Sequence, residues 1–202
     1  MSGVFSGRFP IGLRAVAAAI VALSSLTLPG AAAAAELRDV LVERRDARYF
    51  VESVSVYDAP LESMFHVLAD YDNFERVSSV FKESAYIEPA ADGTPRAYTR
   101  LEGCVLFFCR TIERIDRLTI DKHRRIVAVS EPVPADFAFS RSEWRFERDG
   151  EQTVVHYRLE MEPGFWMPPL IGPYFMKRRL TKGAVDAIDR VEALAQEHAA
   201  EQ

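Results

Sequence analysis

Hydrophobic and polar positions alternate along most of this chain and change to helical spacing in two places. Residues 49–57 (YFVESVSVY) have strand composition, with Val54 and Val56 on one face. Asp58-Ala59-Pro60 predicts a helix start, with Asp58 as cap and the proline in the first turn. Leu61, Met64, Phe65, Leu68 and Tyr71 then recur on one helical face. Asp72-Asn73 interrupts, and Phe74–Val77 forms a second short helical turn. Residues 82–88 predict a strand, closed by Pro89 and by the turn pair Asp92-Gly93.

From Arg96 to Glu131 the pattern is β throughout. The predicted strands are 96–104, 109–120 and 125–130, with a turn at Asp121-Lys122-His123. Over 137–148, Ala138, Ser140, Ser142, Trp144 and Phe146 share one face, and Arg141, Glu143, Arg145 and Glu147 share the other. Asp149-Gly150 is a hairpin turn. In the returning strand, 153–162, Val155, Tyr157, Leu159 and Met161 point one way and His156, Arg158 and Glu160 the other. Residues 164–176 (GFWMPPLIGPYFM) are too proline-rich for a regular element and too apolar for an ordinary surface loop. A final helix is predicted from about 173 to 197, with Leu180, Ala184, Ala187, Ile188, Val191 and Leu194 as its apolar stripe.

The start of the chain reads differently. Arg8 and Arg14 precede an apolar run from Ala15 to Leu28, Pro29-Gly30 breaks it, and Ala31–Ala35 follows. That is the order of a secretory signal peptide, with cleavage expected after Ala33 or Ala35. The competing reading is a retained anchor, but the run is short of the roughly 20 residues a spanning helix needs. Residues 1–35 are therefore read as a leader and the chain as exported to the periplasm. Residues 36–48 form a short lead-in helix or mobile arm, on the spacing of Leu37, Val40 and Leu41; 49–197 form one domain and 198–202 a tail.

Composition narrows the function. The full chain carries −5 at neutral pH; the leader takes Arg8 and Arg14 and no acid with it, leaving −7. So acidic a domain is a poor general binder of nucleic acid. Two cysteines and four scattered histidines offer no metal spacing. His66, His123, His156 and His198 read as surface residues. No nucleophile–base pair, phosphate loop or pair of carboxylates stands out, so no catalytic residue is assigned.

The only two cysteines, Cys104 and Cys109, bracket Val105, Leu106, Phe107 and Phe108. On a straight strand the two thiols would face opposite ways. If the chain turns back between them they form a cross-strand pair within reach of a disulfide, which an oxidising compartment favours. The alternative is two reduced, buried thiols. The four apolar residues then either line a core or form an entrance rim in transient contact with a membrane. Lys177, Arg178, Arg179 and Lys182 follow the second apolar stretch at once and either face anionic headgroups or form a solvated charged surface.

The order of elements, with DAPLESMF at 58–65, LADYDNF at 68–74 and the closing helix with Leu180 and 191–195, resembles the START-like (SRPBCC) superfamily, within it the polyketide cyclase and coenzyme Q-binding branch. The resemblance spans roughly residues 49–197. It implies an α+β helix-grip fold: a curved antiparallel sheet of about seven strands wrapped on a long C-terminal helix, with two short helices after the first strand. It also implies an apolar cavity for a lipid, an isoprenoid such as a quinone, a sterol-like compound or a polyketide, in a family of both carriers and enzymes; no cofactor is expected.

Candidate ligand-binding residues are Tyr98, Arg100, Ser140, Ser142, Trp144, Tyr157, Leu159, Met161, Phe165, Trp166, Leu180 and Ala184. The hydroxyls would orient a polar head, and Arg100 and Glu102 would pair inside beside Tyr98. The reading is an exported, monomeric carrier of a hydrophobic small molecule. Its rivals are a cyclase/aromatase-type enzyme, with Tyr157, Tyr98, Arg100 and Glu102 as weak acid–base candidates, and a non-enzymatic interaction module of the cell envelope.

Overall fold

The alternating segments assemble into one antiparallel sheet in the computed structural model, which describes residues 35–105, 108–132, 136–164 and 172–202. Its strands are β1 (Glu36–Arg45), β2 (Arg48–Tyr57), β3 (Phe81–Ile87), β4 (Arg96–Val105), β5 (Phe108–Asp121), β6 (Arg125–Ser130), β7 (Phe137–Asp149) and β8 (Gln152–Pro163). Their order is β1-β2-β8-β7-β6-β5-β4-β3. Residues after β2 form α1 (Leu61–Ala69) and a 3₁₀ stretch (Tyr71–Arg76), and α2 (Gly172–Ala200) closes the chain. This is the START helix-grip fold.

The described residues form eight strands rather than about seven, because the expected lead-in segment is β1. It pairs with β2 from Glu36↔Val56 to Arg45↔Arg48. A register shift between Leu37 and Asp39 breaks the period-2 alternation, which is why Leu37, Val40 and Leu41 imitate helical spacing. Asp46, at φ 54°, makes the tight turn into β2. Charged side chains along β1 protect the sheet edge it forms. Gly150, at φ 63°, makes the predicted turn between β7 and β8.

The start of α1 also differs from expectation. Pro60, not Asp58, is the N-cap, and no side chain caps the helix. The backbone of Asp58 is held by α2 instead: its N–H donates to Glu192 Oε1 at 2.8 Å, and its carbonyl accepts from Gln196 Nε2 at 2.9 Å.

The solid core lies where α1 meets the last turns of α2. Met64, Phe65 and Leu68 of α1 pack with Tyr71, Phe74, Ile188, Val191 and Ala195. Each large apolar side chain buried there contributes about 1.5–3 kcal/mol. Earlier on α2 the stripe changes character. Leu180, Ala184 and Ala187 are only half-buried, because they face a cavity instead of packed side chains.

Candidate functional site

Between the sheet and the first half of α2 lies a cavity of about 490 Å³. The sheet side is built by inward-facing positions of alternating strands: Val51, Ser53, Ser55 and Tyr57 of β2, Ser142 and Trp144 of β7, and Val155, Tyr157, Leu159 and Met161 of β8. On the opposite side, α2 contributes Leu180, Gly183, Ala184, Ala187 and Ile188, spaced three and four apart so that one helical face is presented. The small residues Gly183, Ala184 and Ala187 leave the space a larger stripe would fill.

An aromatic group closes the inner end. Phe74 stacks on Tyr71 with centroids 4.8 Å apart, meets Phe81 edge-on at 4.9 Å and approaches Trp144 at 6.2 Å. Trp144 leans on Tyr157 at 5.0 Å. Such pairs fix ring orientation and add about 0.5–1.5 kcal/mol each beyond area burial.

A buried cation lies on this mostly apolar wall. Arg114 of β5 lines the cavity, and its Nε lies 2.9 Å from Asp116 Oδ2 in a pair that is nearly closed to solvent. Ser130 donates to Asp116 Oδ1 at 2.6 Å. Burial pushes the Tyr157 hydroxyl up to about 12, against the pull of Arg114 and with a push from Asp116. Burial likewise raises Tyr71 far above its ordinary range. The hydroxyls of Tyr71 and Thr99 are buried with no hydrogen-bond partner among the described residues. The arrangement offers an oxygen-bearing ligand a guanidinium and a protonated phenol within an apolar chamber.

The other end is marked by the cysteines. Cys104 and Cys109 are register partners in β4 and β5, are disulfide-bonded, and both line the cavity while remaining exposed. The turn-back expected between them is therefore present. Val105 and Phe108 are the last paired residues of the hairpin; Leu106 and Phe107 lie outside the described residues. Arg110 and Arg179 join the lining at this end, and Lys177, Arg178, Arg179 and Lys182 are exposed.

Of the candidate ligand residues, Ser142, Trp144, Tyr157, Leu159, Met161, Leu180 and Ala184 stand on the cavity wall. Tyr98 and Arg100 do not. Arg100 pairs with Glu83 of β3, and Tyr98 lies beside Glu113 on the same outer ladder. Glu102, on that parity, is exposed. The inward set of β4 is Ala97, Thr99, Leu101 and Gly103, of which Leu101 and Gly103 line the chamber. Ser140 is buried beside the register shift at Phe137/Phe139 but is not on the wall. Phe165 and Trp166 lie outside the described residues.

Residues 48–197 match the sequence profile of a family described as polyketide cyclase / dehydrase and lipid transport. The chain belongs to this family. Solved structures give the same fold. A START superfamily protein from Mycobacterium smegmatis is 15% identical with a TM-score of 0.58, over 72% of this chain and 98% of that one. The Zhui aromatase/cyclase from Streptomyces sp. R1128 is 16% identical with a TM-score of 0.61, over 75% of this chain and 96% of that one. No curated protein matched the sequence. As a member of this family the chain has a hydrophobic ligand-binding or cyclase-like role.

Sequence reasoning missed Ser53, Ser55 and Arg114. The serines share β2's inward parity with Val51 and Tyr57, a signal hidden because Val54 and Val56 on the opposite face look more hydrophobic. Arg114 and Asp116 share parity with Ile112 and Leu118, but the two charges on that face and Ile115 on the other blur which face of β5 is the apolar one.

Proposed function

We propose that the chain is an exported carrier of a hydrophobic small molecule of the lipid, isoprenoid quinone or sterol-like class. The carrying observation is the chamber of about 490 Å³, apolar on most of its wall and set with Arg114 and Tyr157 at its inner end. The apolar body of the ligand leaves water for the chamber, and its oxygen accepts hydrogen bonds from these two groups. Tyr157, held up to about 12, stays protonated at neutral pH and serves as a donor rather than a general base. This favours carriage over the cyclase alternative, for which Tyr98 and Arg100 face the wrong way.

The leader sequence and the Cys104–Cys109 disulfide both support an oxidising, extracytoplasmic setting. The test is titration of the delipidated protein with an apolar fluorescent probe. One saturable site is expected, lost in Ala184→Trp, which fills the chamber from the helix side while the circular dichroism spectrum is retained. Equal binding by both proteins sinks the reading.

The cationic end of α2 supports brief contact with an anionic membrane. The four exposed cations lie past the first turn of α2, and each contributes roughly 1 kcal/mol near an anionic surface. Co-sedimentation with anionic vesicles is expected, falling with salt and in the variant with Lys177, Arg178, Arg179 and Lys182 changed to Gln. Sedimentation that ignores both rules the contact out.

A further inference from the structure

Three acids are buried in the described residues, and two have cations. Asp116 faces Arg114, and Glu143 lies between Arg141 and Arg145. The third, Glu192 of α2, is 9% exposed. Among the described residues no arginine, lysine or histidine pairs with it. Its two oxygens instead accept backbone N–H groups, Oε1 from Asp58 and Oε2 from Ala35, each at 2.8 Å. A buried carboxylate is expensive to keep charged without a counterion.

The identity of the second donor suggests where a counterion would come from. Ala35 is the last residue of the Ala31–Ala35 run, and it packs against the hydrophobic core together with Leu37. Its nitrogen is thus held within hydrogen-bond distance of the unpaired acid. Ala32 and Ala34 are small residues at the alternate positions a signal peptidase reads before its cut. We propose that the chain is processed between Ala34 and Ala35, and that the new α-ammonium of Ala35 becomes the counterion of Glu192. Water adds across the Ala34–Ala35 peptide bond; Ala34 leaves as a carboxylate, and the freed Ala35 amine carries the proton as an ammonium.

This places the cut one residue away from either position expected from the sequence. Cleavage after Ala33 keeps the Ala35 nitrogen as an uncharged amide. Cleavage after Ala35 removes it. With the cut after Ala34, processing adds an ion pair that ties the sheet edge, through β1, to the buried face of α2. The other titratable and charged groups around the pair are Tyr57 and Asp58 at the end of β2 and Asp189 one turn earlier on α2.

The inference rests on the export reading, and the test separates the two. The full chain is expressed in a bacterium with an outer membrane, the periplasmic protein is recovered, and its first residue is read by intact mass and terminal sequencing. Ala35 is expected. The ion pair is then examined by comparing this protein with one that retains a single extra alanine before Ala35, which leaves Glu192 untouched. An ammonium that gains a carboxylate partner has a raised folded-state pKa. Its stabilisation is present below the ordinary amine value of about 8 and lost as pH rises through the raised one. The Ala35 protein should melt several degrees above the extended one below that range, and the gap should close above it; Glu192→Gln should remove the gap. Periplasmic protein beginning at Ala34 or Glu36 overturns this inference alone. Equal melting of the Ala35 and extended proteins overturns the ion pair. A chain left uncut in the cytoplasm overturns the export reading as well.

Discussion

Arg114 and Asp116 occupy neighbouring inward positions of β5, and their attraction has to offset the loss of water around both. Removing one partner of such a pair typically costs about 3–5 kcal/mol, so Arg114 serves the scaffold as well as the chamber. The tyrosines around the chamber give a cleaner handle. Burial holds Tyr57 and Tyr157 up to about 12 and raises Tyr71 further. Their unfolded value is about 10. Between those limits the unfolded chain gives up protons that the folded chain keeps, so stability is full below pH 10 and falls as pH rises toward 12. Ultraviolet difference absorbance should show these three titrating together with unfolding, above pH 10. A single smooth transition near 10 for every tyrosine contradicts their burial. What the sequence disclosed at this scale depended on clean alternation. From Ser140 along β7, and from Val155 along β8, apolar or small positions alternate with charged ones and histidine, so parity alone gives Ser142, Trp144, Tyr157, Leu159 and Met161 the inward face. In β4 the inward set is Ala, Thr, Leu and Gly, which carries almost no hydrophobic signal, and the amphipathic Tyr98 and Arg100 attracted the assignment instead.

At the level of elements, the β4–β5 hairpin is closed by its disulfide. A loop this short gains about 2 kcal/mol from closure in the chain-entropy picture. Cys104→Ser with Cys109→Ser should therefore lower unfolding stability by about 2 kcal/mol in urea, with the far-ultraviolet spectrum unchanged. A loss of the whole β signature would mean that the clip holds the sheet itself and not only its end. The hairpin was legible because two cysteines five apart on a β pattern are compatible with few arrangements. The edge strand β1 was not legible, since its bulge erased the period by which a strand is read. Nor was the cap of α1. Asp58 has the chemistry of a cap, but its backbone is taken by Glu192 and Gln196, partners more than 130 residues away that no local pattern reveals.

For the whole molecule, the arrangement of the sheet, α1 and α2 divides the interior in two. One end is packed solid where α1 meets α2, and the other is kept open by small residues on the helix face. An interior left open in this way forgoes contacts that close packing would supply, which is costly unless another molecule makes them. The central claim is that a hydrophobic molecule does so. The most direct measurement is to purify the protein without detergent from cells expressing the full chain, extract it with organic solvent and weigh what is released by mass spectrometry. The account predicts one lipid, quinone or sterol-like molecule per chain, bearing an oxygen able to meet Arg114. An empty protein that also takes up none of a panel of such lipids would contradict it and shift the weight to the enzyme or interaction readings.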